Sequence, residues 1–293
     1  MTGGASKFRG NQSGKSHGKP PRIRFGAWTR IWEGLTAKNR ETLFATPRRF
    51  DGPESCDFYH TMDIPGHGLV QGTWDLRGYV DQYLGQLPFA GKRALEIGPA
   101  SGFLTIEMEK RGASVVAVEI ADDAEWDFVP YPASVMDPMY ESRRQHMARV
   151  KNSWWLTHAA HASKAKILYA DAYRLPDAIG SFDIAVMGLV LLHCRSPLQI
   201  IEQCAKRANS LVITDFYHPD LEGRPVCWLI PAPENQIWDT WWSFSTDIII
   251  QFLRVMGFSS VHVSTHTGPV LSYSSRETPA LFTITASRET KTG

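Results

Sequence analysis

Residues 92–119 constrain the fold more than any other stretch of this chain. The run 93–97, Arg-Ala-Leu-Glu-Ile, is short, mostly apolar and stopped by Gly98, the pattern of a buried parallel strand. Residues 98–102 make a turn of small residues. In 103–111 the spacing of Phe103, Ile106 and Met108 predicts a helix. Gly112 ends it, because glycine enters the left-handed region without steric cost. A second apolar strand, 115–118, then stops at an acid, Glu119. Strand, turn, helix and strand make a crossover whose turn aims backbone N–H groups into a crevice at the strand ends.

The rest of the chain extends this alternation. Strands are expected at 166–169, 182–187 and 210–214, with a terminal hairpin at 261–263 and 280–285. Ser196-Pro197-Leu198-Gln199 reads as a capping box with proline at the first helical position. A later helix, 245–256, stops at Gly257, and the tryptophan-rich segment 227–242 before it reads as irregular. Upstream, 25–43 has the apolar spacing of an amphipathic helix, 48–72 reads as a loop, and 74–84 as a second helix. The expected organisation is a disordered basic tail (1–24), an N-terminal helical and irregular cap (25–90) and one α/β domain (91–287). After strand two, residues 121–164 form an insertion, with its helix at 138–160. Trp154 and Trp155 are expected to bury that helix on the sheet. Trp126, nearer the strand end, is the better pocket candidate.

Glycine spacing narrows the chemistry. Dinucleotide sites need G-x-G-x-x-G, so that pyrophosphate can approach the second glycine. Here the pattern is Glu96-x-Gly98-x-x-x-Gly102, with Pro99 and Ala100 in the turn and Ala100 where that second glycine would stand. With Glu119 closing the next strand, this resembles motifs I and II of class I S-adenosylmethionine-dependent methyltransferases. The resemblance implies a Rossmann-like seven-stranded sheet with helices on both faces and S-adenosyl-L-methionine as cofactor. Glu119 would accept from the ribose hydroxyls. Asp171 and Ala172 resemble the third motif, which holds adenine, and Gly188 and Leu189 follow strand four beside the donor methionine.

The stretch 182–197, with Gly188, His193 and Pro197, resembles the branch containing the tRNA wobble-uridine (carboxy)methyltransferases and their uncharacterised bacterial relatives. Carboxy-S-adenosylmethionine needs cations beside its extra carboxylate, and no Lys or Arg aligns to that role. The reading is therefore ordinary S-adenosylmethionine with transfer to an oxygen or nitrogen of a small molecule. A tRNA acceptor and an inactive cofactor-binding sensor or partner subunit are the alternatives. His193, Tyr217 and His218 lie where an acceptor's base would sit, and Trp126, Trp241 and Trp242 are the substrate candidates.

Composition sets the remaining bounds. Net charge is +1, yet residues 1–24 hold six Lys or Arg and no acid. No apolar run is long enough to span a bilayer. Cys56, Cys194, Cys204 and Cys227 are scattered, as in a cytoplasmic protein with reduced thiols. His158 and His161 share a helix face without a third ligand, so no metal is expected.

Overall fold

The computed structural model describes residues 43–124, 126–267, 270–271 and 276–289. The expected tail 1–24 and nearly all of the expected helix 25–43 lie outside them. A short antiparallel pair comes first, β1 (Met62–Ile64) and β2 (Gly68–Val70), followed by one helical turn, α1 (Val80–Tyr83). The crossover read from the sequence is present as β3 (Arg93–Ile97), α2 (Phe103–Lys110) and β4 (Ser114–Glu119). Then come α3 (Ala133–Ala160), β5 (Lys166–Tyr169), β6 (Phe182–Gly188), α4 (Pro197–Ala205) and β7 (Ala208–Phe216). The small pair β8 (Cys227–Leu229) and β9 (Trp242–Phe244) precedes α5 (Thr246–Val255) and β10 (Ser260–Thr267). A two-residue pair, β11 (Val270–Leu271) and β12 (Arg276–Glu277), leads to β13 (Ala280–Ser287).

Seven strands form the central sheet, in the order β10-β13-β7-β6-β3-β4-β5. The five from β3 to β7 run parallel, while β13 pairs antiparallel with both β7 and β10. This is the Rossmann-like arrangement expected from the sequence. Leu211, Val212 and Ile213 are consecutive on β7 and all fully buried, so both faces of the sheet are covered there. The chain leaves β3 toward β4 on one side and returns to β6 on the other. Such a switch point opens a crevice at the carboxyl ends of the strands.

Several local readings need correction. The helix expected at 74–84 shrinks to Val80–Tyr83, because Trp74 bridges to His60 and Asp75 bonds the Arg77 backbone N–H at 3.2 Å. The insertion helix starts at Ala133, not 138, and runs through Pro138. Ser196 makes no side-chain cap, and the Gln199 amide donates to the Tyr173 carbonyl at 3.2 Å instead. The segment 227–242, read as irregular, starts with β8 and runs into β9, which pair with each other. By contrast Ser245 does cap α5, accepting from the Ile248 N–H at 3.3 Å. Trp154 and Trp155 are almost fully buried, as a helix packed on the sheet requires. No helix among the described residues is long and apolar enough to cross a membrane.

Candidate functional site

A cavity of about 590 Å³ opens at the carboxyl ends of β3, β4, β5 and β6, within the range of small-molecule sites. Of the residues singled out from the sequence, Gly98, Ala100, Glu119, Trp126, Asp171, Ala172, Gly188, Leu189 and His193 line it. The backbone explains their convergence. Gly98, Ala100 and Leu189 all have positive φ, at 71°, 48° and 49°. The turns after β3 and β6 thus bend sharply where the sheet parts, and a Cβ on Gly98 would meet Val190 at 3.0 Å. For Ala100 and Leu189 the left-handed conformation is strained, a feature that concentrates at functional sites.

Two carboxylates close neighbouring strands. Glu119, ending β4, accepts the Ile120 N–H at 2.9 Å, and burial pushes its carboxyl up while Lys151 and Arg143 draw it down. Asp171, just past β5, accepts the Tyr173 N–H at 2.8 Å, and its other oxygen lies 3.4 Å from Arg174. Both carboxylates line the cavity and keep acceptor capacity beyond these bonds.

Gly188 forms the floor. A Cβ there would lie 2.7 Å from a ring carbon of Tyr83 and 2.8 Å from its hydroxyl. Tyr83 is a buried, neutral phenol, its pKa raised by burial and by Asp215. Gly188→Ala is therefore expected to destabilise the fold by about 1–3 kcal/mol. The urea midpoint should fall with an unchanged slope; a wild-type midpoint would mean that Tyr83 yields freely.

His193 sits in a short 3-10 turn, Leu191–His193. Its Nδ1 lies 2.5 Å from the Asp239 carbonyl oxygen. A carbonyl oxygen can only accept, so Nδ1 carries the proton and Nε2 keeps its lone pair. Burial holds this imidazole below its usual 6.5, so it is a neutral base at physiological pH. Asp215, on β7, accepts from the Phe216 N–H at 2.8 Å.

The other candidates lie elsewhere. Glu96 is buried, receiving the Thr105 hydroxyl at 2.5 Å, and does not line the cavity; nor do Pro99 and Gly102. Gly102 instead lets α2 approach the insertion helix, for a Cβ there would lie 3.1 Å from Trp154. Tyr217 and His218 follow β7 outside the cavity, the Tyr217 N–H bonded to Ala280.

Trp241 and Trp242, expected to face substrate, also lie outside the lining because their indoles fasten loops. Trp241 Nε1 donates to the Asp127 carbonyl at 2.5 Å, and Trp242 Nε1 to the Arg195 carbonyl at 3.2 Å. Asp127 is the knot of this clasp. Its carboxylate accepts from the Tyr173 hydroxyl and from the Arg195 N–H, joining the insertion to the loops after β5 and β6.

Sequence reasoning missed two groups of lining residues. Tyr59, His60, Trp74 and Tyr83 come from the cap. Arg143, His146, Met147 and Val150 come from α3, at helical spacings that mark a single face. That periodicity is a usable signal. His60 has none: its N–H bonds Ser101 Oγ at 3.2 Å, its ring stacks on Phe103 at 5.5 Å, and burial lowers it to about 4.

No family model matches the chain, and no curated protein matches it. Among solved structures it is similar to the N-terminal domain of EvdMO1, solved with S-adenosylhomocysteine and D-fucose (TM-score 0.48, 16% identity, 86% of this chain and 95% of that one). It is also similar to magnesium protoporphyrin IX methyltransferase from Synechocystis PCC 6803 with bound S-adenosylhomocysteine (0.46, 16%, 73% and 82%). A third likeness is to a protein assigned as an RNA methyltransferase from Pyrococcus horikoshii (0.47, 12%, 72% and 81%). The sheet order of the chain itself, rather than these likenesses, carries the fold.

Proposed function

We propose that this protein is an S-adenosylmethionine-dependent methyltransferase acting on an oxygen or nitrogen of a small molecule. One observation supports this above the others. Two strand-end acids, two left-handed turns and one neutral histidine meet in a single cavity at the switch point of the sheet. Glu119 would accept from the ribose hydroxyls, and Asp171 with the Ala172 backbone would take adenine. The sharp turns after β3 and β6, at Gly98 and Leu189, would receive the methionine portion. When bound, the cofactor supplies a sulfonium methyl group to a nucleophile attacking in line.

The chain's own work is then positional. Aromatic side chains of Tyr59, Trp126 and Phe128 line the proposed acceptor side and would orient an acceptor there. His193, held by Asp239, accepts the proton that an O–H or N–H acceptor must lose. A cavity of this size lined by aromatic side chains suits a small acceptor better than an open polynucleotide groove.

Binding tests the reading. S-adenosylhomocysteine should raise the melting temperature and NAD should not, since a ligand of the folded state alone stabilises by mass action. Glu119→Ala should weaken S-adenosylhomocysteine by about one to two powers of ten in calorimetric titration, the loss of charged-acceptor hydrogen bonds. Stabilisation by NAD alone, or unaltered affinity in Glu119→Ala, would reject the assignment. Salt-sensitive binding of tRNA would move the acceptor to RNA.

A further inference from the structure

We infer that the acceptor is a planar organic acid whose carboxylate is received by Arg143; this rests on the methyltransferase reading and names its substrate class. Arg143 projects from α3 into the cavity. Its Nε is buried without a hydrogen-bond partner, and among the described residues no carboxylate lies within ion-pair distance of its guanidinium. A guanidinium stays charged at any working pH; Arg143 is half-buried, and leaving its buried Nε–H without an acceptor is costly.

The neighbours do not remove that cost. The guanidinium carbon lies 5.8 Å from the Trp126 ring centroid and 6.0 Å from that of Trp238, contacts that offset only part of it. None of the acids that line the cavity pairs with Arg143. Asp127 is held by Tyr173 and Arg195, Asp171 by Tyr173 and Arg174, and Glu119 by Ile120. The Asp239 carboxylate accepts from Thr240, at 3.4 Å, and makes no pair with Arg143. The next basic lining residue on the helix, His146, is taken by Asp57 at 3.1 Å. A planar fork of donors with no acid partner among the described residues, in a partly open cavity, fits a ligand carboxylate, which it can hold through two parallel bonds.

The surroundings supply the shape. Trp126 stacks on Phe128 at 5.6 Å and 15°, and the Phe128 ring meets Trp238 edge-on at 4.9 Å. Trp126 and Phe128 line the cavity together with Arg143, so a flat ring bearing the acid can lie against them. Glu119 and His193 line the same cavity as Arg143, so the cation shares it with the proposed ribose acid and the proposed base. A single guanidinium matches the one charge of a carboxylate.

Calorimetric titration of the full chain saturated with S-adenosylhomocysteine tests this, using 4-hydroxybenzoate and anthranilate against their neutral amides. Wild type should bind at least one acid tenfold or more tighter than its amide. Arg143→Met should reduce that ratio to about one, and Arg143→Lys should retain part of it. S-adenosylhomocysteine should bind Arg143→Met as it binds wild type, which also shows that the variant is folded. Absence of any acid preference in wild type, or its persistence in Arg143→Met, would overturn the inference. A tenfold loss of S-adenosylhomocysteine in Arg143→Met would overturn it too, giving Arg143 to the cofactor's own carboxylate. Failure of wild type to bind S-adenosylhomocysteine would instead fell the methyltransferase reading, and this inference with it.

Discussion

His193→Asn is expected to lower kcat by about 10²–10⁴, the usual contribution of a positioned base, and to leave S-adenosylhomocysteine affinity unchanged. Asparagine places an N–H near where Nδ1 stands, so the bond to the Asp239 carbonyl survives. What disappears is the Nε2 lone pair. Burial lowers the imidazole below 6.5, so wild-type activity should be flat at neutral pH and fall only at more acidic pH, as His193 takes up a proton. The variant's residual rate should lack that acid limb. The rate of S-adenosylhomocysteine formation in the presence of cell extract, followed against pH, reads both effects. A variant as fast as wild type would show that the acceptor reaches the methyl group already deprotonated. Positioning alone would then carry catalysis.

How far the site could be read in the sequence follows from how local each signal is. β3, α2 and β4 are legible because apolar runs, a glycine stop and a terminal acid all lie within one crossover. The proposed cofactor side of the cavity comes from those same strand ends, so Gly98, Glu119, Asp171 and Gly188 line it together. The acceptor side is assembled from distant segments. Trp241 and Trp242 look like pocket residues because aromatics near strand ends often are. Their N–H groups are instead spent on the carbonyls of Asp127 and Arg195, more than 40 positions away in sequence. No spacing rule reports such a pairing. Ser196 shows the same limit in miniature, since its expected capping partner, Gln199, is taken by Tyr173. Conversely, the face made by Arg143, His146, Met147 and Val150 is written in the helical period. It is masked in the sequence by Trp154 and Trp155, the bulkier apolar signal on the same helix, which point to the sheet and not to the cavity.

Glu96→Gln is expected to stabilise the protein at high pH and to change little at low pH. Glu96 is almost wholly buried on β3, and its carboxyl is pushed up to about 8, chiefly by burial. The Thr105 hydroxyl opposes that rise and the charge of Glu119 adds to it. A folded-state pKa above the unfolded 4.5 means that the native state holds its proton longer than the unfolded chain does. The associated stability is complete below about 4.5, drains away as pH rises toward 8, and is gone beyond it. At about 1.4 kcal/mol for each pH unit separating the folded and unfolded values, the difference comes to roughly 3–5 kcal/mol. Glutamine mimics the protonated carboxyl, accepting from Thr105 without a charge to bury. The variant-minus-wild-type melting temperature should thus be near zero at about pH 4 and reach roughly 5–15 °C at about pH 9. Asp215, pushed up to about 7 by burial, provides an internal comparison. In Asp215→Asn the gain should saturate about one pH unit earlier than in Glu96→Gln, because the acid it removes has finished titrating by then. Parallel melting curves for wild type and Glu96→Gln across this range would mean that water reaches Glu96 in solution and that the strand beneath the cofactor turn is not dry.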